Sequence, residues 1–584
     1  MMKHRLAGGG ETDYVIIVDP SADVCEQFAA RQLADYLERI SGAVFRVTAP
    51  EYIDGHFPII VGFNKLSAFF DTPRDAALGE EGFIIRSVDC GLIIAGAEPR
   101  GTLYGVYAFL EKIGVRFLAF DETVVPMEET LVCPALDIRE KPAFMYRYGF
   151  YRMMLGDVGI KNRLNGAPAG ALHGGSAVPY IAGAGHSFFA LVPPDQYFAE
   201  HPEYYSEIDG VRVPNKQLCL TNESVYQIIY ETLYKRLEEH PENRIQSVSI
   251  NDCGGYCTCE RCRAVDEKYE SHMGSLLVLL NRLAEELEKD FPDVIIGTLA
   301  YLHTRKPPAG LSARKNVCIW LCSIECCFAH PITECGDVYG PRKGTLAFPD
   351  DLHGWKEAAD LLFVWDYVNN FGQVVQPHPN LRVLQKNIQF FRDSGVKGVF
   401  EQGHTGVSNG TPDLNELRYY LIAKLLWNPD CDIEAHKREF LDGYYGPAAD
   451  AVAEYIKVFE DRVDSGNIHF GISNPPACEL FDSATLERAK AALDSGSALV
   501  KGQKKYENRI ERLYLTLEYP RFAMRVSDGK ATREEINVFC NRVIKSGYDH
   551  LEESMDIEKR RKYCLEMGRL PDLVNGEWRG LAGQ

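Results

Sequence analysis

The chain reads as α/β: a TIM-barrel catalytic domain between a small α/β domain and an all-α C-terminal domain. Three observations predict this. Strand and helix signals alternate over residues 1–140. Over 141–430, apolar runs recur, each closing on polar or aromatic residues, with helical stretches between several of them. About seven or eight such units in that length is the arithmetic of an eight-stranded parallel barrel, with a doubly wound open sheet as the alternative. Over 431–584 the pattern is helical throughout.

The elements follow in order. DYVIIVD, FPIIVGF, EGFIIRSVD and GLIIAGAE are predicted strands, and ADVCEQFAARQLADYLERISG is an amphipathic helix with a glycine stop. RGTLYGVYAFLEKIGVRFLAFDE continues as a helix leading to a strand, and EKPAFMYR, ending at Arg147, marks the exit from this domain. The barrel runs are FMYRYGFY, KQLCLTN, IQSVSIND, VIIGTLAY, NVCIWLCSIE, LLFVWDY and GVKGVFEQG. GSLLVLLNRLAEELEKDF and NLRVLQKNIQFFRDSG are helices among them, and HKREFLDGYYG and AADAVAEYIKVFEDRV open the last domain.

Composition narrows the function. The chain is 46% hydrophobic and 25% charged, with a net charge of -20. That balance disfavours nucleic acid and anionic membranes, which need clustered Lys and Arg. MMKHRLAGGGETDYVIIV has no apolar stretch of signal-peptide length, so a cytoplasmic location is expected, with a trimmed export signal left open. Self-association is left open too.

A parallel barrel carries its chemistry at the C-terminal ends of its strands. The runs end in Asn251-Asp252, Tyr301, Glu325, Trp365-Asp366-Tyr367 and Glu401-Gln402-Gly403-His404. A carboxylate after a strand is often a helix N-cap. Four on one face repel one another and need something to hold them. Trp365 and Tyr367 flank Asp366; aromatic rings beside carboxylates suit a sugar, whose apolar face stacks while its hydroxyls bond the acids. Glycosidic cleavage commonly uses two such carboxyl groups. Asp252, Glu325, Asp366 and Glu401 are therefore the acidic candidates. Glu401 follows the apolar GVKGVF and is expected to emerge at the rim, with His404 close enough to tune it. Asn251, Glu325, His186, Tyr301, Trp365, Tyr367, His404 and Arg147 are candidates for substrate binding.

Seventeen cysteines are scattered along the chain, but Cys253, Cys257, Cys259 and Cys262 fall within ten residues. They have the ligand type for a structural zinc, although not the paired spacing of common zinc sites. Packing thiols are the alternative. Cys326 or Cys327 could also contribute. No cofactor is expected to be needed for catalysis.

SVSINDCGGYCTCERC, GVFEQG and LRYYLIAKLLWNPDCDIEAHKREFLDGYYGPAA resemble a bacterial family once known only as a domain of unknown function. Part of it is glycoside hydrolase family 163, the endo-β-N-acetylglucosaminidases. RGTLYGVYAFLEKIGVRFL resembles the domain preceding the barrel in β-hexosaminidases and α-glucuronidases. The resemblance implies a glycoside hydrolase on β-linked N-acetylhexosamine, retaining, with Asp252, Asp366 and Glu401 at strand ends and His186 and Glu325 lining the site. It implies an oligosaccharide substrate. An α-glucuronidase-like hydrolase and a non-catalytic glycan-binding protein are the rivals.

Overall fold

The computed structural model describes residues 4–53, 55–175, 185–403, 413–552 and 555–567. The chain forms two compact units. One comprises Met1–Gly149, Met153–Ala177 and Tyr419–Tyr444; the other comprises Phe150–Arg152, Val178–Arg418 and Tyr445–Gln584. Each unit draws on separated stretches of chain.

The first unit is built on a six-stranded mixed sheet. Its strand order is Asp137–Glu140, Phe83–Val88, Gly91–Gly96, Phe57–Val61, Tyr14–Ile17, Val47–Thr48. The helix Val24–Ser41 starts where the Asp23 side chain accepts the Glu26 N–H and stops at Gly42, which is left-handed. Its buried face, Leu33, Leu37 and Ile40, packs into the apolar core together with Tyr104, Tyr107 and Phe109 of the helix Gly101–Lys112. Arg147 lies inside this unit, fully buried. It donates to Glu81 at 2.6 Å and to the carbonyls of Arg163 and Phe144. Arg100 grips the other Glu81 oxygen at 2.5 Å. Burial opposes ionisation of Glu81, but the two guanidiniums hold its carboxyl below the usual range. Arg147 was a candidate for substrate binding; its donors are instead committed to structure.

The second unit carries five parallel strands in sequence order: Ile245–Ser247, Ile295–Ala300, Val317–Cys322, Leu361–Tyr367 and Gly398–Gln402. The Phe150 carbonyl accepts the Gly403 N–H at the far edge. Strands rich in Val, Ile and Leu are what a parallel sheet covered on both faces requires. Helices Met273–Leu287, Ala347–Ala358 and Leu381–Asp393 are the crossovers. Tyr146–Phe150, from the run FMYRYGFY, is the sixth strand of this sheet, beside Gly398–Gln402; among the described residues it is a curled half-barrel, short of the seven or eight strands expected. KQLCLTN accounts for part of the shortfall: it forms only a single bridge, from Leu218 to Tyr205. Its Gln217 side chain bonds the backbone at Asn251 and Cys253, and its Asn222 caps the helix Glu223–Glu239.

The C-terminal helices of this unit share its core. Val374 and Val375 pack with Leu515, Tyr519, Ala523 and Phe539. The Phe371 N–H donates to the Ile472 carbonyl at 2.8 Å. Among the described residues, no helix is long and apolar enough to cross a membrane.

Candidate active site

Strand register sorts the strand-end residues onto two faces, because side chains alternate along a strand. Ser247, Gly297, Cys318 and Leu361 form one row across four strands. Tyr301, Cys322, Trp365, Tyr367, Phe400 and Gln402 share that face. Gly185 shows which way the face points. Its carbonyl accepts from Ser247 Oγ at 3.0 Å, and a Cβ built on it would lie 3.9 Å from the Trp365 ring. One residue can reach two strands separated by two others only across the hollow of the sheet. The aromatic row is therefore concave.

Asp252 belongs to this hollow. Tyr301 Oη donates to its Oδ1 at 2.9 Å, and His186 Nε2 is 3.9 Å from the same oxygen. His186 Nδ1 lies 2.7 Å from the Ile250 carbonyl, which can only accept, so Nδ1 carries the hydrogen. Nε2 is thereby aimed at Asp252, with the ring 5.7 Å from that of Tyr301. Both side chains are reachable: 39% of Asp252 and 35% of His186 are exposed. Trp365 Nε1 donates to Gln402 Oε1 at 2.5 Å, and the Trp365 ring leans on Phe400 at 4.3 Å. Asn251 is buried, and its amide is committed to the Lys216 carbonyl.

Glu325 closes the group from the next strand end. Burial, then Asp252, pushes Tyr301 well above the usual phenol range, and burial, then Cys322 and Tyr301, does the same to Tyr367. Arg305 anchors Glu325. Its three nitrogens donate to Glu325 at 2.8 Å, Asp337 at 2.5 Å and Asp351 at 2.8 Å. Burial raises the Glu325 carboxyl, Arg305 opposes that, and Asp337 adds to it.

Asp366 and Glu401 lie elsewhere. They are register partners on adjacent strands, on the face opposite the aromatic row, with Ser323 bonded to Asp366. Glu401 was expected to emerge at the rim. It is the penultimate residue of its strand and is 0% exposed, and neither carboxylate oxygen has a hydrogen-bond partner among the described residues. Burial, then the neighbouring Asp366, holds its carboxyl well above the ordinary range. Burial lifts Asp366 to about 6, against the Ser323 hydroxyl and the Tyr367 N–H. Burial together with a like charge on the neighbouring strand favours the protonated form of Glu401. His404 lies outside the described residues.

The cysteine cluster also differs from its expected membership. Cys257, Cys259 and Cys262 gather around Cys219 of KQLCLTN, with all four sulfurs within 4.8 Å of one another. Cys219 Sγ is 3.7 Å from Cys259 Sγ and 3.8 Å from Cys262 Sγ. A tetrahedron of Zn–S bonds has sulfurs about 3.8 Å apart. The Glu207 N–H and the Arg212 guanidinium point at Cys257 Sγ, at 3.4 and 3.6 Å, as donors to a thiolate. Cys253 turns away to the Lys216 carbonyl, because Gly255 reverses the chain in a left-handed conformation before Cys257. A leucine-flanked cysteine 34 residues upstream of Cys253 gave no spacing signal in the sequence.

No curated protein matches the chain. Among solved structures it is similar to a family GH115 4-O-methyl-α-glucuronidase with specificity for decorated arabinogalactans. The TM-score is 0.56 at 13% identity, over 100% of this chain and 78% of that one. A Clostridium perfringens family GH89 protein in complex with GlcNAc-α-1,4-galactose gives 0.48 at 12%, over 89% and 65%. A Streptomyces plicatus β-hexosaminidase gives 0.42 at 14%, over 75% and 90%. At such identities the first likeness carries the fold, a mixed α/β chain with a curled parallel sheet. A family model described as a domain of unknown function, DUF4838, matches residues 117–459, more than half of the sequence, so the chain belongs to the DUF4838 family.

Proposed function

We propose that this chain is a glycoside hydrolase acting on a neutral β-linked pyranoside, with N-acetylhexosaminides first in line. Its chemistry is assigned to Asp252 and Glu325 at the concave strand ends. The observation that carries this is the reachable Asp252, held by Tyr301 and faced by His186, with the buried Glu325 just past the end of the next strand, Val317–Cys322. Two carboxyl groups on either side of a glycosidic bond supply proton transfer and charge stabilisation. Trp365 and Tyr367 give the sugar's apolar face a surface. Arg305, the guanidinium beside Glu325, has every nitrogen engaged by a carboxylate. It is not free to pair with a uronic acid, which favours a neutral sugar over a glucuronide.

A panel of nitrophenyl glycosides, including N-acetylglucosaminide, galactoside and glucuronide, tests the substrate class, and NMR of the released anomer is expected to show retention. Asp252→Asn and Glu325→Gln are each expected to lose about 10²–10⁴-fold in kcat with the fold intact. A second reading places the chemistry on Asp366 and Glu401, whose raised carboxyls suit a proton donor. Glu401→Gln decides between them. Wild-type turnover in that variant supports Asp252 and Glu325, whereas its collapse, with activity kept in Asp252→Asn, transfers the role. An inactive wild type that binds glycans tightly would instead support a non-catalytic barrel.

The four thiols of Cys219, Cys257, Cys259 and Cys262 are assigned a structural zinc, which would shape the loop after Asp252 without entering the reaction. The match of sulfur spacing to a tetrahedral site supports this assignment.

A further inference from the structure

A second cluster lies in the same unit, away from the four thiols. The chain leaves the strand Val317–Cys322, passes Glu325 and enters a long irregular loop containing Cys327, His330 and Cys335. The fourth member, His469, comes from more than 130 residues further along. It follows the helix Ala449–Gly466, which ends on Asn467 in a left-handed conformation. The four possible ligand atoms all lie within 4.8 Å of one another. Cys327 Sγ is 3.5 Å from His330 Nδ1 and 3.6 Å from His469 Nδ1, and Cys335 Sγ is 3.2 Å from His469 Nδ1. The two imidazole rings are 4.7 Å apart between centroids.

We propose that Cys327, His330, Cys335 and His469 form a structural zinc site. A tetrahedral ion with Zn–S near 2.3 Å and Zn–N near 2.0–2.1 Å separates neighbouring sulfur and nitrogen ligands by about 3.6 Å. Two of the three measured separations match this, and the third needs a small opening. Thiolate and imidazole donors select zinc over magnesium or calcium. Two thiolates neutralise the ion, so binding releases the two thiol protons to solvent and leaves a closed site without an open position. The backbone is already set for such a staple: the Phe328 N–H donates to the Phe470 carbonyl at 2.7 Å, joining the neighbours of both halves. The ion would tie the Glu325 loop to the segment after Asn467. This inference is independent of which glycoside is cleaved.

The test is metal content of the full-length protein by mass spectrometry. Wild type is expected to hold about two zinc per chain, one at each cluster. Cys335→Ser and His469→Ala should each lose one equivalent and lower the melting temperature. Cys259→Ser should lose the other equivalent while retaining this one. If Cys335→Ser fails to fold, wild type alone decides. Stripped with chelator and reloaded with cobalt, it should take up two equivalents, one with the weaker charge-transfer band of a two-thiolate site. A single equivalent that survives His469→Ala and vanishes in Cys259→Ser would overturn the proposal. Finding copper or iron in place of zinc at this cluster would overturn the choice of ion.

Discussion

Two buried acidic groups in the second unit make a useful pair. Around Arg305 sit Glu325, Asp337 and Asp351, and Arg342 also bonds to Asp351. Asp366 and Glu401 sit side by side on adjacent strands, with one hydroxyl between them and the solvent-free interior and no cation bonded to either among the described residues. The first group solves the cost of burial with countercharge. The second solves it by keeping a proton. A compensated cluster can fix a loop at any pH at which proteins fold, whereas an uncompensated pair makes its surroundings respond to pH.

The largest effect should come from removing the countercharge. Arg305→Met leaves three buried carboxylates with Arg342 alone. Breaking a buried ion pair from one side typically costs about 3–5 kcal/mol, and here several pairs go together. Urea unfolding should find the variant unfolded or destabilised by at least that much. A variant as stable as wild type would mean that the cluster is not what holds the loop.

A smaller effect is expected from the uncompensated pair, and its sign is opposite. Folding raises both carboxyls, so the folded protein holds protons that the unfolded chain has already released. The pair's contribution is then most favourable below about pH 4 and is lost as the pH rises through about 6 and beyond. Glu401→Gln removes one of the two raised carboxyls and should flatten this decline between pH 4 and pH 8. Parallel slopes for variant and wild type in melts across that range would show that Glu401 is not raised by folding.

The smallest effect separates two neighbouring thiols. Cys253→Ser should stay within about 0.5 kcal/mol of wild type and keep its metal. Cys219→Ser should lose one metal equivalent. The reverse outcome would restore the membership expected from sequence spacing alone.

Much of this was legible in the sequence. The six apolar runs that became strands of this sheet are read directly from FMYRYGFY, IQSVSIND, VIIGTLAY, NVCIWLCSIE, LLFVWDY and GVKGVFEQG. Asp252, Tyr301 and His186 were expected around the site, and the fold sets them side by side. Trp365, Asp366 and Tyr367 were treated as a single sugar platform, yet the two-residue period of a strand places the acid opposite its neighbours. The same period places Glu401 opposite Gln402. Arg147 carried no mark of its partners, because Glu81 lies 66 residues earlier. Cys219 and His469 were invisible for the same reason: ligands far apart in sequence meet only through the fold.

The packing of Val374 and Val375 against the C-terminal helices has a practical consequence. A fragment cut near residue 430, as a modular reading would suggest, would strip the cover from this part of the sheet's loops. It would expose Val374, Val375, Phe371 and their surroundings as a sticky apolar surface. Such a piece should accumulate in inclusion bodies, so shortening this gene to its strand-bearing portion is not a route to a minimal catalyst.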